Sequence, residues 1–141
     1  MSAKHLEGQA ILINNKLKFE CTVPGREPIT VDYAKPQGDG EGIMSLELLL
    51  LSLATCLGST IKYLVAAQPD RHVRTLSICA EGTRRETHPT VFERIHLDLR
   101  LGADGLNAAA LDALLDKAKQ ICPVYVMLKE GVQVTVDATL E

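Results

Sequence analysis

A chain of 141 residues, 46% hydrophobic and 23% charged, has the balance of an ordinary globular protein and the length of one domain, residues 1–141. Its formal net charge is −3 and it has no large Lys/Arg cluster, so it offers nothing for nucleic acid, which is bound through basic patches. Aromatic residues are 4% of the chain and Trp is absent, so the core has to be built from Leu, Val, Ile and Ala.

The polar start, Met1-Ser2-Ala3-Lys4, lacks the apolar run of a signal peptide and sets an expectation of the cytoplasm. There thiols stay reduced, and a disulfide framework is not expected from the four cysteines. They form no C-x-x-C, and no clustered Cys/His spacing accompanies them, so no metal and no cofactor is expected.

In chain order, Gln9 to Ile13 is a short strand candidate. Leu17, Phe19, Cys21 and Val23 then alternate with Lys18, Glu20 and Thr22, the period of a half-buried strand. Ile29 to Tyr33 follows, and turns at Asn14-Asn15 and Pro24-Gly25 make the three an antiparallel meander. Lys35 to Gly42 carries Gly38, Gly40 and Gly42 without the Lys-Ser/Thr of a phosphate loop, and reads as a flexible connection.

Ser45 to Gln68 is the first helix, ended by Pro69. Leu46, Leu49, Leu50, Leu53, Leu57, Ile61 and Leu64 form its stripe, and Leu48 and Leu51 widen it. The charge-free run between Glu47 and Lys62 falls short of the roughly 20 positions that span a bilayer, so no membrane role is expected. Ser45, Ser52, Cys56, Ser59 and Tyr63 share one narrow face, so a thiol sits on a polar line of an apolar helix.

Two more strands follow, one around Leu76, Ile78 and Ala80 and one around Ile95, Leu97, Leu99 and Leu101. A second helix, capped by Asn107, puts Leu111, Leu114, Leu115, Ala118, Ile121 and Cys122 on one face. Pro123 interrupts it, with a short helical turn before Glu130-Gly131. A final strand runs through Val132, Val134, Val136, Ala138 and Leu140. The order βββ-α-ββ-α-β predicts an α+β fold. The first helix is too apolar for one small sheet to hide, which predicts a homodimer.

Of the cysteines, Cys21 lies on the apolar face of its strand and reads as packing. Cys79, beside Ser77 and Glu81, falls on the polar face of its strand. Cys56 reads either as a small core hydrophobe or as a reactive thiol. Cys122 precedes Pro123, a residue favoured at the first position of a helix. There the backbone N–H groups would stabilise a thiolate, unless Cys122 is simply a buried helix-terminal cysteine.

The segments Ser45-Leu-Glu-Leu-Leu-Leu-Leu-Ser-Leu-Ala-Thr-Cys56 and Cys122-Pro-Val-Tyr-Val-Met-Leu128 resemble the OsmC/Ohr family, osmotically inducible protein C and organic hydroperoxide resistance protein. Glu86-Thr-His-Pro-Thr-Val-Phe-Glu-Arg-Ile95 is similar to its OsmC-like branch, and the resemblance runs from about Asn15 to Leu140. It implies an α+β fold built as an intertwined homodimer, with two central helices per chain. It also implies oxidative-stress defence by a thiol peroxidase that reduces small apolar organic hydroperoxides at the expense of a dithiol reductant. Cys56 would be the peroxidatic thiol and Cys122 the resolving one, with Glu47 as the candidate acidic residue.

The chain departs from the peroxidase branches in two places. Leu46 stands where their Glu precedes the central helix, with Glu47 one step later. Where they place an early-strand Arg, this chain has Lys16 and Lys18, and Arg26 lies in a later turn. Met44-Ser45 also replaces the Ser-Pro usual at that helix start. These departures keep a second reading open, a non-catalytic relative that binds an apolar ligand or senses oxidation.

Overall fold

Alternating side chains in the first third produce β1 (Gln9–Leu12), β2 (Phe19–Thr22) and β3 (Ile29–Val31). They pair as the antiparallel meander β1-β2-β3, which places Ala10, Cys21 and Ile29 in one cross-strand row and Leu12, Phe19 and Val31 in the next. The computed structural model describes residues 4–141. They divide into two compact units, the first ending at Leu49 and the second running from Leu50 to Glu141.

β2 starts later than its alternation suggests, for a local reason. The Asn14 side-chain oxygen accepts the backbone N–H groups of Lys16 (3.0 Å) and Lys18 (3.2 Å), so those donors are spent in a turn.

The stretch from Lys35 to Gly42 corrects the expectation of a flexible connection. Asp32 is wholly buried; one carboxylate oxygen accepts from the Tyr33 N–H (2.8 Å), the other from Asp39 (3.2 Å) and Glu41 (3.1 Å). Gly38 lies so close that a Cβ there would collide with the Tyr33 carbonyl and the Asp32 carboxylate. Asp39 in turn accepts from Asn14 Nδ2 (3.0 Å) and Lys16 Nζ (2.9 Å), and Lys18 Nζ donates to Glu41 (2.8 Å). The loop is therefore pinned at both ends of its glycine run.

Helix α1 spans Ser45–Ala66. Glu47 reaches back to accept the Met44 N–H (2.9 Å), one half of a capping box. The helix ends before Gln68 because the residue ahead of a proline is pushed out of the helical region. By length and composition alone α1 could cross a membrane. Its Leu53, Leu57, Ile61 and Val65, spaced at every fourth position, are instead wholly buried among the protein's own side chains.

In the second unit β4 (His72–Arg84) and β5 (Phe92–Asp104) form an antiparallel pair, and β6 (Gln133–Leu140) runs parallel to β5 on its other edge. A parallel neighbour requires a crossover, supplied here by α2 (Ala108–Ile121) and α3 (Pro123–Leu128). Both hairpin strands outrun their apolar alternation, because register shifts at Val73/Thr75 and Thr83/Arg84 interrupt the period of two. Ile95, Leu97, Leu99 and Leu101 of β5 join the buried face of α1 and Leu111, Leu114, Leu115 and Ala118 of α2 in an aliphatic core. α1 approaches β4 through Gly58, where a Cβ would lie 3.2 Å from Ile78 Cδ1. Two separate flanks of α1 are left open, one at Leu51 (48% exposed) beside Gly58 and one at Tyr63 (72% exposed) on the face of Cys56.

Candidate thiol site

Cys56 sits near the middle of α1, half-buried, between the buried pair Leu53 and Leu57. Cys122 stands at the junction of α2 and α3 with an extended backbone (φ −70°, ψ 112°), the conformation imposed on a residue before proline. Its N–H still closes α2 on the Ala118 carbonyl (2.8 Å), and its carbonyl accepts from Val126 (3.0 Å) to open α3. Its side chain makes no cap bond with α3 and points inward. There the Cys122 thiol donates to the Cys56 sulfur at 3.4 Å, across 66 positions of sequence. Both cysteines are free thiols. A disulfide bond is about 2.05 Å long, so the sulfurs need close by only ~1.4 Å.

Of the two readings of Cys122, its electrostatics favour the buried helix-terminal cysteine. Burial pushes the thiol above its ordinary value, and the hydrogen bond to Cys56 adds to the rise. The N–H groups of Tyr125 and Val124 at the start of α3 do pull the other way. A six-residue helix offers too little to outweigh the loss of water around a sulfur with no exposed surface. The net effect at Cys122 is a thiol held above its ordinary value.

The polar line on α1 contributes less than its spacing suggests. Ser52, Ser59 and Tyr63 are exposed. Thr60, which reading the sequence overlooks, donates to the Cys56 carbonyl (2.9 Å), and Thr55 donates to the Leu51 carbonyl (2.8 Å). The signal for Thr60 was its place four residues after Cys56 on a helix, where a threonine hydroxyl bonds back to the preceding turn.

The remaining candidates lie outside the thiol pair. Glu47 is exposed and holds the Met44 N–H. Lys16 pairs with Asp39, and Lys18 pairs with both Asp39 (3.7 Å) and Glu41 (2.8 Å). These contacts hold the Asp39 carboxyl below its usual range, chiefly through the Lys16 bond, and raise Lys18, chiefly through its bond to Glu41. Cys21 is half-buried and helps line an apolar groove of 540 Å³ in the first unit, with Ile29 and Leu48 beside it and Arg26 and Glu27 at its margin. Cys79 is exposed on the outer face of the second sheet, in register with Asp98 and Asp137. Among the described residues no group of three or more His, Cys, Asp or Glu side chains is placed to hold a metal ion.

A family model described as OsmC-like protein matches residues 38–137. Among solved structures the chain is similar to an OsmC-like protein from Mycoplasma pneumoniae, at 19% identity and a TM-score of 0.85 over 99% of each chain. It is also similar to an organic hydroperoxide resistance protein OsmC, predicted redox protein, from Legionella pneumophila (18% identity, TM-score 0.73, 99% of each chain). A third is the organic hydroperoxide resistance protein OhrB of Bacillus subtilis (15% identity, TM-score 0.66, 96% of this chain and 98% of that one). At such identities the likeness is one of fold. No curated protein matches the chain significantly in sequence.

Proposed function

The chain belongs to the OsmC-like protein family and has the OsmC/Ohr fold, and from that premise we propose that it is a cytoplasmic thiol peroxidase acting on organic hydroperoxides through Cys56 and Cys122. The observation that carries this reading is the 3.4 Å approach of two free thiols, one half-buried and one wholly buried. The Cys56 thiolate attacks the terminal peroxide oxygen, the O–O bond breaks, and the alkoxide leaves and takes a proton as the alcohol. Cys56 is left as a sulfenic acid. Cys122 then displaces water from it to form the Cys56–Cys122 disulfide, and a dithiol restores both thiols while becoming a disulfide itself.

Glu47 enters this reading as a positioning residue that secures the first turn of the helix carrying Cys56. The working unit is a homodimer, whose partner copy covers the open flank of α1 around Leu51 and leaves the Cys56 flank accessible. Light scattering is then expected to give about twice the 15.3 kDa chain mass. Lys16 and Lys18 are occupied by carboxylates and lack the guanidinium fork, so turnover is expected to be modest.

A second reading draws on the 540 Å³ apolar groove of the first unit, which suits an apolar ligand. On that reading the thiols only register oxidation. One experiment separates the two: an alkyl hydroperoxide is supplied with excess dithiol, and peroxide consumption is followed together with the state of the cysteines. Catalytic consumption supports the peroxidase. One equivalent consumed, with a Cys56–Cys122 disulfide that dithiol does not turn over, supports the sensor. Loss of neither thiol refutes both uses of the pair.

A further inference from the structure

The two sulfurs differ in one respect that the peroxidase reading does not use. Cys56 retains exposed surface, whereas Cys122 has none. Resting on that reading, we infer that Cys56 is the only sulfur through which the oxidised pair is reduced. The reductant's thiolate attacks Cys56, the Cys56–Cys122 bond breaks, and Cys122 departs as the thiolate. A mixed disulfide between the reductant and Cys56 is left behind. The second thiol of a dithiol then attacks the reductant's own sulfur, which closes the reductant's disulfide and releases the Cys56 thiolate. The two protons given up by the dithiol end on Cys56 and Cys122, so atoms and electrons balance.

Two physical effects oppose each other here, and geometry decides between them. A thiol of lower pKa is the better leaving group, and burial raises that of Cys122, which by itself disfavours Cys122 as the departing sulfur. Displacement at sulfur, however, requires the nucleophile to approach along the S–S axis from the side opposite the leaving group. Cys122 has no exposed surface and is fixed at the α2–α3 junction, where its N–H is bonded to Ala118 and its carbonyl to Val126. A nucleophile reaches that sulfur only if the junction opens, whereas Cys56 is approached from the half-exposed flank of α1. The N–H groups of Tyr125 and Val124, which favour a thiolate at Cys122, ease the departure that access dictates.

The test uses the oxidised wild-type protein, treated with a large excess of glutathione, quenched in acid and mapped after alkylation. Glutathione is expected on Cys56, with Cys122 alkylated. An adduct on Cys122, or equal adducts on both, overturns the inference and leaves the peroxidase reading standing. If no Cys56–Cys122 disulfide forms beforehand, the peroxidase reading itself fails and takes the inference with it. A second measurement covers the case in which Cys122 recaptures Cys56 before the quench. Single-thiol proteins carrying Cys21→Ser and Cys79→Ser, with either Cys122→Ser or Cys56→Ser, are charged with thionitrobenzoate. One equivalent of glutathione then reports attack on the protein sulfur as chromophore release with glutathione left on the protein, whereas attack on the outer sulfur leaves a free protein thiol. Release from Cys56 is expected to be at least about tenfold faster than from Cys122 in the folded proteins, and equal in denaturant, where access is the same. Equal folded rates overturn the assignment.

Discussion

The two units of the molecule are held together by different physics. The first has strands of 4, 4 and 3 residues and leaves Ile11, Leu12, Val23 and Ile29 exposed. Its cohesion comes from the buried Asp32 carboxylate and the Asp39 and Glu41 pairs around it. The second has strands of 13, 13 and 8 residues over a continuous aliphatic core, which includes the Cys122 sulfur with Cys56 beside it. A unit of about 50 residues buries a smaller share of its apolar surface than a larger one, so polar geometry carries more of the first. Chemistry should therefore fail through substitutions in the second unit, and stability through the polar knot of the first.

The largest effect expected is at Cys56. Cys56→Ser should abolish peroxide turnover while circular dichroism stays native, whereas Cys21→Ser, in the first unit, should leave turnover near wild type. Activity lost with Cys21 and kept without Cys56 would reverse the comparison. Asp32→Ala comes next. Removing a buried carboxylate that satisfies three backbone N–H groups should cost about 2–4 kcal/mol in urea unfolding. Once the protein is folded, disulfide formation between Cys56 and Cys122 should proceed as in wild type. A loss below about 0.5 kcal/mol would mean that the knot does not hold the loop.

A smaller effect, confined to alkaline pH, is expected at Cys122. A thiol whose folded pKa is raised keeps its proton between the unfolded and folded values, so the native state binds more protons in that window. Its contribution to stability is therefore unchanged below the ordinary value of 9.0 and declines as pH rises beyond it. Unfolding midpoints of wild type and Cys122→Ser, compared from pH 7 to pH 10, should show the steeper alkaline decline in wild type. The smallest effect concerns Glu47. Glu47→Ala should lose about 1 kcal/mol with the cap, and Glu47→Gln, which keeps an acceptor, less than about 0.5. Turnover that survives in Glu47→Gln supports the positioning role; turnover that vanishes there makes the carboxylate itself catalytic.

Much of the fold was legible because it is written in short-range periods. The alternation of Leu97, Leu99 and Leu101, the Asn107 cap and the proline stop at Pro69 each depend on residues a few positions apart. Asn107 does accept the Ala110 N–H (2.8 Å) in the structure. The Lys35–Gly42 stretch misled for the converse reason. Its glycines look like freedom, yet Gly38 is small because a buried carboxylate and a carbonyl crowd it, and Asp32 carries no local sign that it is buried.

From the sequence alone came the helix that carries Cys56, the break that ends α2 at Cys122, the α+β order and the family resemblance. All of these follow from local backbone preference and side-chain period. Only the tertiary structure brought two sulfurs 66 positions apart to 3.4 Å. It also placed β6 parallel to β5, tied the loop to Asp32, and buried the Cys122 sulfur so that its thiol pKa is raised. The physical reason is common to these. Distance between remote side chains, and the removal of water from a sulfur, are set by what packs around them, and no window of neighbouring residues contains that information.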